Sequence, residues 1–204
     1  MKALLLAGIV IFMGELCMAT DNQPAKRNRP LRLLIFGAST SAYRGDLDIA
    51  SFQVSDQLRD RGIDHVFFNS GVGGNTTAMA RKRFDRDVLG LYPDIVFILI
   101  GTNDSMIDTW DGKTTPRVTE QEYSENLRFF ARELKQRDIT AVFMTIQPLY
   151  MTEALRKPYG KPPYTDKGFN FMVDRYVAAM KKVAEEEGIP CLDINKTFWL
   201  AVGG

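Results

Sequence analysis

The sequence predicts an α/β domain, built on a parallel sheet of five strands with helices on both faces. Three observations carry this. Short apolar runs alternate five times with longer amphipathic stretches, the imprint of repeated strand–helix–strand units. The run at 94–100 (DIVFILI) is apolar at almost every position, so both its faces need cover, as in a parallel sheet. Small, Gly-rich segments follow the first three runs, and in a parallel sheet such segments share the rim at the carboxyl ends of the strands.

The elements follow in order. Residues 31–36 (LRLLIF) read as the first strand, and residues 49–61, with Phe52, Val54 and Leu58 among charges, as a helix. Residues 66–69 form the second strand, 77–89 a helix and 94–100 the third strand. Thr119 with Glu122 three residues on makes a capping box, which opens a helix running to about Gln136. Residues 140–146 are the fourth strand. Residues 147–168, rich in Pro, Tyr and Lys, read as a long, structured surface loop. A helix over 169–187 ends at Gly188, and residues 189–194 form the fifth strand.

A chain of 204 residues suits one domain with a sizeable core. A hydrophobic share of 45% and a charged share of 25% are ordinary for a globular protein, and a net charge of +1 offers nothing to nucleic acid or an anionic membrane. Lys2, the apolar residues 3–13 and the small residues near Cys17-Met18-Ala19 match an export signal cleaved after Ala19. The expected organisation is a signal peptide over 1–19, a polar tether over 20–30 and the domain over 31–204. Secretion, or delivery to a periplasm, follows from it. Glu15 and the shortness of the apolar run argue against a membrane span. A lipid anchor at Cys17 is the alternative, though Gly14-Glu15-Leu16 suits it poorly. Cleavage would leave Cys191 alone, without an intramolecular disulfide, and it is expected to be a small buried hydrophobe.

Residues 37–41 (GASTS), 69–77 (NSGVGGNTT) and 101–104 (GTND) follow the first three strands. Singly, each is explained by the steric needs of a turn. Together they offer a serine and convergent donors. Ser39, expected at the start of the first helix, presents a hydroxyl and its own N–H. Gly74, without a side chain, lets its N–H approach closely. Asn103 donates from its side-chain amide. Three such donors on one carbonyl oxygen are what acyl transfer requires.

These blocks resemble those of the SGNH, or GDSL-type, hydrolases. Gly37-Ala38-Ser39 resembles the GDS block with Ala38 in place of its aspartate, Gly74-Asn75-Thr76-Thr77 the glycine block, and Gly101-Thr102-Asn103-Asp104 the GxND block. The resemblance runs from about Leu31 to the end. It implies a flavodoxin-like three-layer α/β/α sandwich and a serine esterase with Ser39 as nucleophile and Gly74 and Asn103 in its oxyanion hole. Asp104 is then a structural partner of the loops. The implied partner is a small-molecule or carbohydrate ester; the charge balance points to no nucleic acid, a single His with scattered carboxylates gives no metal-ligand spacing, and no cofactor is expected.

Serine needs a base within hydrogen-bond reach, and the resemblance implies a DxxH block after the fifth strand. The one histidine, His65, begins the second strand, on the rim opposite Ser39. The chain is therefore expected to be cut short before that block; a base-less pseudoenzyme is the competing account. Two other classes stay open. A non-catalytic carbohydrate-binding module would use Tyr150, Tyr159 and Tyr164, with Lys157 and Lys161; Trp110, after the third block, is a candidate for lining the same cleft, with packing as its equal alternative. A flavin or nucleotide binder shares the architecture, but neither GxGxxG after the first strand nor GxxxxGK[ST] occurs.

Overall fold

The computed structural model describes residues 29–43, 45 and 50–203. The expected signal peptide, Cys17 and nearly all of the tether lie outside the described residues. Among the described residues the sheet has five parallel strands in the order β2-β1-β3-β4-β5, where β1 is Leu31–Gly37, β2 His65–Gly71, β3 Ile95–Leu99, β4 Thr140–Met144 and β5 Cys191–Leu192. This is the predicted flavodoxin-like three-layer sandwich. The helices that cover it are α1 (Ala50–Asp60), α2 (Thr77–Asp87), the short α3 (Thr102–Ser105), α4 (Glu120–Lys135), α5 (Glu153–Tyr159), α6 (Tyr164–Lys167), α7 (Phe171–Glu187) and α8 (Ile194–Val202).

Side-chain alternation along each strand divides the core into two layers. Leu34 and Phe36 of β1 lie with Val96, Ile98, Ala141 and Phe143 on one face, beneath α2, α4 and α7. Leu33 and Ile35 lie with Ile95, Phe97, Leu99, Val142 and Met144 on the other, against Val54 and Leu58 of α1 and Ile194 of α8. All five residues of β3 are buried, which explains its unbroken apolar run. Phe36, Phe84 and Phe130 pack with centroids 5.0 to 5.6 Å apart. Burying each such ring contributes ~1.5–3 kcal/mol.

Thr119 caps α4 as predicted, accepting from the Glu122 N–H at 3.2 Å, and Gly188 ends α7 in a left-handed conformation with φ of 68°. The segment 147–168 is built on two short helices: Thr152 caps α5 by accepting from the Leu155 N–H, and α6 follows. Two expectations are corrected. The fifth strand is only Cys191–Leu192, because Asp193 caps α8 by accepting from the Lys196 N–H. Cys191 is half-buried rather than fully buried, and burial still pushes its thiol to about 11.

The pairing places Gly37 opposite both Gly71 and Leu99, while Leu31 faces His65 at the other end. Strand order reverses between β1 and β3. Beyond the carboxyl ends at that point lies the usual crevice for ligands in open α/β sheets, and Ser39 and Asn103 follow those two strands.

Candidate active site

Ser39 lies in a single turn immediately after β1. The carbonyl of Ala38 accepts from the Ser41 and Ala42 N–H groups at 3.3 and 3.1 Å and from Ser41 Oγ at 3.2 Å. Ser39 itself is half-buried. The turn is not the start of α1, whose first residue is Ala50. Ala38, where the resembling family carries aspartate, is 4% exposed and packs in the core. Close approach dictates the preceding glycine: a Cβ on Gly37 would fall 2.3 Å from the Leu99 carbonyl oxygen and 2.4 Å from Ser41 Oγ.

The second loop is tied to this turn at two places. The Val72 N–H donates to the Gly37 carbonyl at 3.1 Å. Asn69 Nδ2 donates to the Ser41 carbonyl at 2.6 Å, while its Oδ1 accepts from the Gly71 N–H. Gly74 has a φ of 77°, in the left-handed region, and nothing lies within 4 Å of where a Cβ would stand. Space is therefore open on the side of Gly74 where a side chain would stand. Asn75 and Thr76 behind it are buried, and Thr76 caps α2 by accepting from the Met79 N–H.

Asn103 lies in α3, directly beyond β3. Its Nδ2 donates to the Asn75 carbonyl at 2.9 Å. An amide of this kind carries two N–H groups, so one bond to Asn75 leaves a second donor. Asn103 Oδ1 accepts from Arg117 at 3.5 Å. Arg117 also pairs with Asp108 at 2.7 Å and holds that carboxyl below its ordinary value. Asp104 Oδ1 accepts from both the Thr77 N–H and the Thr77 hydroxyl, which fastens the start of α2 to the third loop, as its structural role predicts. Burial pushes the Asp104 carboxyl from 3.8 to about 6, against the pull of the Thr77 hydrogen bonds.

The three predicted residues therefore share one rim. Asn103 and the loop of Gly74 are joined directly through Asn75, and the Ser39 turn joins both through Gly37 and through Ala38, whose N–H donates to the Leu99 carbonyl at 3.4 Å. Sequence reasoning missed Gln147 and Arg83. Gln147 Nε2 donates to Thr40 Oγ1 at 3.1 Å; its position just after β4 was the available signal. Arg83 bonds to both the first and second loops.

His65 is where the sequence puts it, on the far rim. Its Nε2 meets Ser55 Oγ at 2.7 Å and its Nδ1 the Ile63 carbonyl at 2.8 Å. The carbohydrate-binding idea loses two of its aromatics: Tyr159 and Tyr164 are buried at 8% and 3% exposure and pack on Phe169. Tyr150 and Trp110 are exposed. Among the described residues no group of His, Cys, Asp and Glu is arranged to hold a metal ion, and no helix is long and apolar enough to cross a membrane.

Comparison with known proteins gives the family and the fold. The model of the GDSL-like lipase/acylhydrolase family matches residues 35–203. A Bacillus subtilis protein described as the uncharacterized lipoprotein YqeF is 46% identical over 81 residues, 40% of this chain and 32% of the relative. An acetylxylan esterase of Geobacillus stearothermophilus is 28% identical over 135 residues, 64% of this chain and 54% of the relative. The chain thus spans about a third and about half of the lengths of these curated relatives. In fold, it is similar to the lipase/acylhydrolase of Enterococcus faecalis, with a TM-score of 0.62 at 23% identity, covering 81% of this chain and 77% of that one. With its three loop blocks on one rim and a family match over nearly the whole described domain, the chain belongs to the GDSL-like lipase/acylhydrolase family.

Proposed function

We propose that the protein is an exported serine ester hydrolase acting on acyl or acetyl esters, with acetylated carbohydrate as its substrate class. The hydrogen bond from Asn103 to the Asn75 carbonyl carries this reading, because it aligns a side-chain donor with the loop of Gly74. Ser39 Oγ attacks the ester carbonyl carbon. The charge that develops on the carbonyl oxygen meets the N–H groups of Ser39 and Gly74 and the remaining N–H of Asn103. Preorganised donors of this kind are worth ~3–4 kcal/mol each in the transition state. Collapse of the tetrahedral intermediate expels the alcohol and leaves an ester on Ser39, which water then cleaves.

The proton of Ser39 needs a base. His65, engaged on the opposite rim, does not supply it, and these 204 residues contain no other histidine. A polypeptide of these residues alone is therefore expected to turn over roughly 10³–10⁶ times more slowly than a complete triad. The acetylxylan esterase relative supports carbohydrate acetate as substrate. Export is supported by the leader-like residues 1–19 and by the lipoprotein relative.

The test is acetate release from acetylated xylooligosaccharide, compared with octanoate release from a glycerol ester, each against Ser39→Ala. Slow release that depends on Ser39 and favours the sugar acetate is expected. Release indifferent to Ser39→Ala, or a preference for the long acyl chain, contradicts the reading.

A further inference from the structure

Arg83, on α2, has its side chain only 10% exposed. Its guanidinium reaches acceptors in four separate places. Nε donates to Asn75 Oδ1 at 2.7 Å. Nη1 donates to the Ser70 carbonyl at 2.9 Å and to Asp87 Oδ2 at 3.0 Å. Nη2 donates to the Gly37 carbonyl at 3.0 Å. Its planar face lies over the Phe36 ring, 4.5 Å from the centroid.

These acceptors are not scattered. Gly37 is the last residue of β1, two before Ser39, and its carbonyl also takes the Val72 N–H that begins the glycine loop. Asn75 follows Gly74, and its own carbonyl receives Asn103 Nδ2. Ser70 belongs to β2, and its hydroxyl donates to the Asp87 carbonyl at 2.7 Å, so the residue that orients the guanidinium is itself held. A simple ion pair within α2 would need only Asp87. Arg83 spans the end of β1, the end of β2 and the glycine loop.

We propose that Arg83 is a positioning residue of the ester-hydrolase site, setting the separation between the Ser39 turn and the donors of Gly74 and Asn103. The inference rests on the reading of Ser39 as nucleophile. Arg83 lies behind the loops and acts through them. The role demands arginine: a planar fork with five N–H groups bridges several acceptors while stacking on a ring, whereas a lysine ammonium is a point charge with no such plane. A displacement of about 1 Å between reacting groups can cost on the order of 100-fold in rate.

The test uses the full chain with excess p-nitrophenyl alkylphosphonate over long incubation, since His65 does not activate Ser39; the serine oxygen attacks phosphorus with loss of p-nitrophenolate. Intact mass follows the adduct, and peptide mass locates it. Arg83→Lys is expected to lower the saturating rate constant for Ser39 labelling about 10- to 100-fold, with the half-saturating reagent concentration changed less than about threefold. Arg132→Lys, which disturbs an exposed pair with Glu187, controls for the loss of an arginine contact and is expected to label like the wild type. Asn75→Ala keeps the carbonyl that Asn103 uses and removes only the acceptor of Arg83 Nε; a rate loss of about 3- to 10-fold is expected. It decides the matter if Arg83→Lys does not fold. If Ser39 of the wild type is labelled and the folded variants label within about twofold of it, Arg83 only stabilises the fold and the proposal is overturned. If wild-type Ser39 takes no label even after long incubation with excess reagent, at a rate no greater than that of other serines, the reading of the site fails and the proposal falls with it.

Discussion

Asn103 donates its side-chain amide to the main-chain carbonyl of Asn75 at 2.9 Å, so the loop after β3 holds the residue that directly follows Gly74. The same side chain is thus both a strut between two loops and a candidate donor to the oxyanion. Asn103→Ala is expected to slow phosphonate labelling of Ser39 by on the order of 10²–10³. Asn103→Asp is expected to be at least as damaging, since it sets a carboxylate against the Asn75 carbonyl and the developing charge. Labelling kinetics of the two variants check this; wild-type rates in either would remove Asn103 from the site.

Gly37 carries the tightest backbone contact at the rim. An added Cβ would meet the Leu99 carbonyl oxygen at 2.3 Å, and a strand carbonyl in a central pairing has little room to yield. Gly37→Ala is expected to lower stability by at least about 2 kcal/mol. At Gly73 nothing lies within 4 Å of the same position, so Gly73→Ala is expected to stay within about 0.5 kcal/mol of wild type. Urea unfolding of both variants distinguishes a steric contact from a general intolerance of the glycine loop.

Asp104 is expected to give the fold a pH dependence. Its carboxyl is raised by burial to about 6 from 3.8, and its Oδ2 has no hydrogen-bond partner among the described residues. The folded protein holds this proton more tightly than the unfolded chain, so the charged form costs stability above about pH 6, and that cost is relieved as pH falls from about 6 towards about 4. The full shift corresponds to about 3 kcal/mol. Asp104→Asn keeps an acceptor for Thr77 and carries no titratable group. Between about pH 7 and about pH 5 the wild type is expected to gain about 1 kcal/mol relative to Asp104→Asn in urea unfolding. Parallel pH profiles would contradict the assignment.

His65 bonds to Ser55 and to the Ile63 carbonyl at the amino end of β2. His65→Gln is expected to leave the rate of Ser39 labelling within about twofold of wild type, because a base must lie within hydrogen-bond reach of the proton it takes. Loss of labelling in this variant, with its fold intact by circular dichroism, would bring His65 back as a participant.

Much of this was legible in the residues. Apolar runs located the strands because strands buried on both faces carry apolar residues at nearly every position, as β3 does. The Gly–Ser–Asn segments after them located the rim, because parallel connections put all carboxyl ends on one side. What the sequence hid was direction and partnership. Tyr159 and Tyr164 read as exposed aromatics, yet they turn inward onto Phe169; a single sequence shows an aromatic but not where it points. α3 is too short for a periodic signal. Arg83 sits in a helix dense with Arg and Lys, and nothing in that pattern separates a solvated charge from one spanning two loops. Gly37 and Gly101 read as turn residues, but the constraint on each is a neighbour distant in sequence, Leu99 for one and the Tyr123 hydroxyl for the other.

The most direct test of the central claim is where a p-nitrophenyl alkylphosphonate attaches to this polypeptide. Because His65 lies on the far rim and does not activate Ser39, the account predicts slow labelling under excess reagent, with one adduct per chain located by peptide mass at Ser39, absent from Ser39→Ala and slowed further by Asn103→Ala. An adduct at another residue, or equal labelling of Ser39→Ala, would show that the rim built by Gly37, Asn75 and Asn103 does not serve a serine nucleophile.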